Sequence, residues 1–527
     1  MSERYFNVTG PCVSDKHYMV DTSEKINQIK IMVDRGDYFT INRARQYGKT
    51  TTLNLLRRRL FDEYICAPFS FGSVGDASFE TETAFCATFM RRIQNALRLS
   101  SMAQDADYIA SWVDTAVTDI DRLGVHITKQ CEGKKIVLMI DEVDASSNYR
   151  VYIRFLAMLR DKYLARADGN DFTFHSVILA GVYDIKNIKL KMISAGVYNP
   201  QVKEGTVYNS PWNIAANFKV DMSFNTADIS TMLAEYKSDH EISMDIPLIS
   251  QKIYDYTSGY PFLVSRICKL IDEDFDKDWT LAGVEKAVHI LLREQNTLFD
   301  DMFKNFEIYE ELYAYMYELL VVGEKKDYSA HDPVVNWALM FGFVSLRNEK
   351  VAVHNRIFEI VIIRYFVSKD AHDTDKKSIS RVLKYDVVRN GRFDMELCLR
   401  KFAEHYRRLF NEDDIDFLER HGKMLFLSYI APLINGEGFY HVESQLSDRR
   451  RMDIVIDFDH EQFIIELKLW YGEAEHEAGY EQLAGYLRSV KAERGYLVTF
   501  DLRKPQNRQP KEEWVSYEGV RIFDVVL

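Results

Sequence analysis

The sequence predicts an α/β protein of several modules: a parallel sheet with helices on both faces, then a helical segment, then a second, smaller α/β module. Three observations predict it. An apolar strand at 38–42 runs straight into Gly48-Lys49-Thr50 and a helix-forming stretch; an apolar run at 136–140 ends in two adjacent carboxylates; and a Val/Ile-rich hairpin occupies 453–469. Strands alternating with helical stretches imply a parallel sheet. A chain of 527 residues is too long for one core, and at roughly 150 residues per domain about three domains are expected.

Composition is that of a folded chain, 47% hydrophobic and 28% charged, with only 10 prolines. The start, "MSERYFNVTGPCVSDK", lacks the basic and apolar regions of a signal peptide, and no apolar run approaches the ~20 residues that span a bilayer. The expectation is a cytoplasmic protein with no membrane partner. The six cysteines form no CxxC pair, so neither a disulfide framework nor a cysteine zinc site is supported. Net charge is −13, which excludes a protein that coats nucleic acid by bulk electrostatics. The basic clusters at 55–60, 186–191 and 448–451, each taken alone, read as solvated faces.

In the first module "YFTIN", 38–42, reads as a buried strand, and 49–61 as a helix with a basic exposed side. A strand, a turn with Gly-Lys-Thr and a helix are the context of a phosphate-binding loop. Helix-start N–H groups and the helix dipole favour a polyphosphate. Gly48 lets the backbone approach, Lys49 offsets the β/γ oxygens, and Thr50 offers a hydroxyl to Mg²⁺. Arg45, Gln46, Tyr47 and Thr51 complete the predicted binding segment. Arg43 stands where a standard Walker A motif has its first glycine. Downstream, "KKIVLMIDEVDA" at 134–145 supplies a Walker B strand, with Asp141 for the Mg²⁺ shell and Glu142 to polarise the attacking water. Strands are also expected near 67–74 and 174–182, and Arg154 and Arg160 are candidate arginine fingers.

"YMVDTSEKINQI", "NRARQYGKTTTL", "VILAGVYDI", "SPWNIAANFKVDMSF" and "YTSGYPFLVSRICKLI", five segments in order between residues 18 and 271, together resemble the bacterial and archaeal AAA-ATPase-like proteins. In that family the loop commonly reads arginine-proline-arginine-arginine-phenylalanine-glycine-lysine-serine/threonine, so an absent first glycine is expected. The chain departs from that pattern at Ala44 and Gln46. The resemblance implies ATP as the nucleotide, with an ATPase core at 1–230 and a helical lid at 231–290, and leaves room for a homo-oligomer.

Residues 291–368 read as helices around a two-stranded ribbon turning at Arg347-Asn348, a winged-helix-like order. The helix at 335–341 offers no basic residue to a DNA groove, which favours a packing role and assigns the tyrosine-rich stretch to a core. Residues 369–399 are expected to be a linker.

The last module, 400–527, carries "RRRMDIVIDFDHEQFIIELKLW". Period-two alternation puts Glu466 and Lys468 on one face of a strand, with Asp453 on its partner strand. Two carboxylates and a lysine suit metal-dependent phosphodiester cleavage; the hairpin alone equally fits a charged surface. On the next helix Gln482 and Tyr486 lie at i and i+4, and Glu419 opens an amphipathic helix upstream. These elements resemble the RecB-like branch of the PD-(D/E)XK nucleases. That resemblance implies Asp453 and Glu466 as Mg²⁺ ligands, Lys468, Gln482 and Tyr486 as catalytic partners, Glu419 or alternatively Glu443 as a further carboxylate, and nucleic acid, DNA foremost, as partner. It implies an ATPase whose nucleotide state controls a nuclease, with a defence role by analogy alone. The rival reading is a nucleotide switch or scaffold whose nuclease fold only binds.

Overall fold

The computed structural model describes residues 4–145, 150–182, 212–322, 328–347, 349–370, 387–389, 392–409, 438–445, 451–459, 461–501, 503 and 510–527, with most positions of 423–434. The chain divides into two units, Met1–Glu294 with Asn336–Phe343, and Gln295–Val335 with Val344–Leu527. No helix among the described residues is long and apolar enough to cross a membrane.

In the first unit, strands β1 (Tyr38–Asn42), β2 (Ile65–Ser70), β3 (Ile136–Asp141) and β4 (Ser176–Gly181) form a sheet in the order β1-β4-β3-β2, with every pairing parallel. All six residues of β3 and all six of β4 are buried. This is why both read as continuous apolar runs: central strands of a parallel sheet are covered on both faces. Ile136, Leu138 and Ile140 belong to one core cluster with Phe85 and Phe89 of α3 (Glu82–Leu97), Leu123 and Ile127 of α4 (Ile120–Cys131) and Phe155 of α5 (Arg150–Ala167). On the other face, α1 (Ser23–Asp34) buries Ile26, Ile29 and Val33, and α2 (Lys49–Leu60) buries Leu53, Leu56 and Leu60. Ala216 bridges in parallel to Phe39, so this segment runs beside β1. Four helices follow, α6 (Thr226–His240), α7 (Ile246–Thr257), α8 (Pro261–Asp274) and α9 (Leu281–Leu291). Residues 4–18 pack into them: Phe6 and Tyr18 each lie 5.1 Å from the Tyr236 ring, and the Tyr18 hydroxyl donates to Asp239.

In the second unit, α10 (Thr297–Ile308), α11 (Glu310–Tyr317) and α13 (Arg356–Asp370) share an aromatic core in which Phe303 stacks on Tyr365 at 4.4 Å and Tyr313 meets Phe366 at 4.8 Å. The tyrosine-rich stretch is thus core. Helix α12 (Pro333–Met340), which from Asn336 on is counted in the first unit, precedes in the chain a ribbon of β5 (Val344–Arg347) and β6 (Lys350–Val353) in the second. Arg347, expected at the turn, is still in the ribbon, where it pairs with Lys350, and Glu349 lies in the left-handed region at φ 64°. The last part of the expected linker is structured. The short pair β7 (Val388–Arg389) and β8 (Arg392–Phe393) places Phe393 against Phe458 and Phe463, and α14 (Met395–Leu409) starts there.

The six-stranded sheet of this unit has the order β13-β14-β12-β11-β10-β9, from β9 (Gly438–Gln445), β10 (Arg451–Phe458), β11 (Glu461–Leu469), β12 (Arg494–Phe500), β13 (Lys511–Tyr517) and β14 (Val520–Val526). Strands β9, β10 and β11 are antiparallel, while β11-β12 and β12-β14 are parallel. One face is covered by α15 (Glu473–Ser489), with Leu483 and Leu487 packed among Val455, Ile464, Leu497 and Ile522. Phe402 and Tyr406 of α14 meet Phe500.

Candidate active sites

Gly48 is in the left-handed region at φ 76° and caps α2, a conformation that costs glycine nothing, so the first N–H groups of α2 open onto the loop. Arg43 explains why the loop manages without a glycine at its entrance. Its guanidinium donates to the Asn42 and Val220 carbonyls at 2.9 and 2.8 Å and lies 5.4 Å over the Phe218 ring, so the side chain ties the loop to the segment beside β1. Burial lowers its pKa. Lys49 Nζ donates to the Arg43 and Ala44 carbonyls at 2.9 and 2.8 Å. Burial pulls its pKa down to about 8, against the opposing pull of Asp144 and Asp141.

The Thr50 hydroxyl donates to Asp141 Oδ2 at 2.5 Å, so the helix start and the end of β3 converge. A hydroxyl and a carboxylate at one point are hard oxygen donors, the set that Mg²⁺ takes beside phosphate and water oxygens. The residues present therefore fit that ion. Glu142 follows in the left-handed region at φ 52°, as does Gln46 at φ 55°; such non-glycine outliers persist where the surroundings over-determine them. The Glu142 carboxylate accepts from the Ser70 hydroxyl at 2.6 Å, and a Cβ on Gly72 would come within 1.8 Å of its Oε2, so any side chain at 72 would push this carboxylate out of its seat.

Several contacts were not legible in the motifs. Ser70 ends β2 directly opposite Asp141 in the register, which is what brings its hydroxyl to Glu142. The Tyr260 hydroxyl, at the start of α8, donates to the Arg45 carbonyl at 2.6 Å, and its ring meets Tyr47 edge-on at 4.7 Å. Tyr47 also shares a 2.6 Å hydrogen bond with Ser223, and burial raises its pKa. The Thr51 hydroxyl accepts from the Cys12 N–H at 3.1 Å. Arg154 is ion-paired with Glu82.

In the second unit Lys468 Nζ lies 2.9 Å from Glu466 Oε1 and donates to Gln482 Oε1 at 3.0 Å, so these three predicted residues meet. Glu466 is 1% exposed, because α15 covers this face, while Lys468 is 27% exposed. Tyr486 does not join them; it is buried in the core cluster with Val455, Ile464 and Leu487. Asp453 lies in β10 one residue before Ile454, which pairs with Ile465, the residue before Glu466. The side chains of Asp453 and Glu443, and the whole of Glu419, lie outside the described residues. Among the described residues no three His, Cys, Asp or Glu side chains gather as metal ligands would.

Alongside this site lies a buried network. Asp524 Oδ2 accepts from the Tyr480 hydroxyl at 2.5 Å, with His476 Nε2 and Lys511 Nζ each at 3.1 Å. Burial works against its charged form, but these partners outweigh it and hold its pKa below the usual carboxylate range.

Strand order, loop and acidic strand end together define a P-loop-type α/β module. No family model matches the sequence, and no curated protein matches it. Among solved structures the chain is similar to a Walker-type ATPase of Pyrococcus abyssi (10% identity, 68% of this chain and 99% of that chain, TM-score 0.47). It is also similar to the Aeropyrum pernix ORC1 protein in complex with DNA (11%, 67% and 94%, TM-score 0.29) and to the ORC2 protein of the same organism (12%, 69% and 97%, TM-score 0.34). At these identities and TM-scores the likeness carries no argument, and the site's own geometry bears the functional reading.

Proposed function

We propose that the first unit binds and hydrolyses ATP and that the second cleaves nucleic acid, the nucleotide state of the one controlling the other. The observation that supports this best is the meeting of Lys49, Thr50 and Asp141 at the start of α2. Thr50 and Asp141 would hold Mg²⁺, which would supply charge neutralisation at the phosphates. The Lys49 ammonium turns from the loop carbonyls to the β/γ oxygens. Glu142 orients the attacking water once its carboxylate leaves Ser70. In the second unit Asp453 and Glu466 are the proposed carboxylates, Lys468 steadies charge on the scissile phosphate, and Gln482 holds Lys468. A place in prokaryotic defence rests on analogy of module pairing alone.

A second reading, a nucleotide switch that binds without turnover, is favoured by the engagement of Glu142 with Ser70. Incubation of the purified chain with labelled single- and double-stranded DNA and RNA, with Mg²⁺ and with or without ATP, separates the two. ATP hydrolysis with ATP-dependent cleavage supports the first; tight ATP binding without either reaction supports the second.

A further inference from the structure

Beyond Glu294, only Asn336–Phe343 is counted in the first unit; Val335 before it and Val344 after it belong to the second. The segment is the body of α12 and the turn that ends it. The Gly342 N–H donates to the Leu339 carbonyl at 3.0 Å and the Phe343 N–H to the Ala338 carbonyl at 2.9 Å, with Gly342 in the left-handed region at φ 73°. That pair of hydrogen bonds closes a helix end and favours glycine at this place. A second constraint acts on the same residue. A Cβ on Gly342 would come 2.8 Å from the Ala44 Cβ and 3.9 Å from Tyr260 Cε2, so the turn is pressed against the phosphate loop and against the tyrosine that braces it. Ala44 and Tyr260 are both buried.

Ala44 is therefore held at two points. Its carbonyl accepts from Lys49 Nζ at 2.8 Å, and its methyl group lies against Gly342. The next carbonyl, that of Arg45, accepts from the Tyr260 hydroxyl at 2.6 Å. An ammonium has three donors, and Lys49 places two of them on the Arg43 and Ala44 carbonyls. When Lys49 turns to phosphate oxygens, the Ala44 carbonyl loses its donor, and a buried carbonyl left without one is costly. The Ala44 peptide must then shift to find another partner. Close packing leaves no slack between its methyl group and Gly342, so the shift is felt at the end of α12.

We propose that the Ala44–Gly342 contact is a latch: while Lys49 holds the Ala44 carbonyl the end of α12 is docked on the loop, and nucleotide binding releases it. The released turn leads directly into β5 of the second unit. The proposal rests on the ATP reading of the first unit and gives its control over the second a physical route. It is tested on the full chain by amide hydrogen exchange at Phe341, Gly342 and Phe343, with and without adenylyl-imidodiphosphate and Mg²⁺, binding being measured on the same sample by calorimetry. In the wild type the analogue speeds that exchange roughly 5- to 150-fold, the usual span of a coupling between two sites. Ala44→Gly removes the methyl group and leaves the helix end intact; it shows the faster exchange without nucleotide and gains little more with it. Gly342→Ala forces the contact apart and binds the analogue more tightly than the wild type, by up to the same factor, because coupling is reciprocal. Damage to the fold alone would weaken that binding. Analogue binding with exchange at 341–343 unchanged or slowed, Ala44→Gly exchanging as the wild type does, or weaker binding by Gly342→Ala overturns the latch and leaves the ATP reading standing. A wild-type protein that does not bind the analogue sinks the ATP reading and the latch with it.

Discussion

Replacing Lys468 with methionine removes one charge and little else, because the apolar stem is kept where it lies 3.5 Å from the position a Cβ on Gly479 would take. What remains is the Glu466 carboxylate, 1% exposed, without the ammonium that stood 2.9 Å away. Removing one partner of a buried ion pair in this way costs about 3–5 kcal/mol. The opposite change, Glu466→Gln, leaves a lysine that is 27% exposed and free to turn to water, and costs about 1 kcal/mol or less. The pair is therefore asymmetric, and the double variant recovers most of the loss of Lys468→Met alone. Native-state hydrogen exchange of peptides from β10, β11 and β12 reads the local opening free energy directly. Equal costs for the two single variants, or a double variant no more stable than Lys468→Met alone, would refute the reasoning.

At the nucleotide site, Lys49→Ala loses charge-assisted hydrogen bonds to phosphate, so ATP affinity falls roughly 10- to 150-fold by calorimetry. Glu142→Gln keeps that affinity and lowers turnover about 10²- to 10⁴-fold in a phosphate-release assay. Because Lys49 titrates at about 8, nucleotide affinity in the wild type is flat below that pH and falls by about a decade per unit above it, once the nucleotide's own ionisation is subtracted. Asp453→Asn is expected to abolish cleavage of labelled nucleic acid and to leave ATP hydrolysis within about twofold, since the proposed metal ligand loses its charge but not its shape.

How much was legible from sequence follows from what each signal encodes. β1 and the start of α2 were placed to the residue and β3 to within one, since burial on both faces forces the unbroken apolar run of β3 and Gly48 marks the turn. The use of Arg43 was not, because its acceptor at Val220 lies 177 positions away. Alternation assigned Glu466 and Lys468 to one face, yet it carries no information on what covers that face, and the burial of Glu466 beneath α15 stayed hidden. Likewise the i, i+4 spacing puts Gln482 and Tyr486 close in angle on the helix, but the edge of the core falls between them: one meets Lys468 and the other is enclosed. The Glu142 seat needed the β2–β3 register, which no local pattern fixes.

The anchoring of residues 4–18 in the helices beyond the sheet bears on how the chain is made. Tyr18 is joined to Asp239, 221 positions later, and the Phe6 ring rests on Tyr236 and Trp279. At ribosomal rates of about 5–20 residues per second, the opening segment leaves the ribosome roughly 10 to 45 s before its partners do. Through that interval two aromatic rings wait uncovered, and Cys12, whose N–H meets Thr51, belongs to the same waiting strap. The loop before α2 therefore gains its last brace only after helices α6 to α9 have been synthesised, which makes completion of the first unit a late event in translation although its sheet is encoded early.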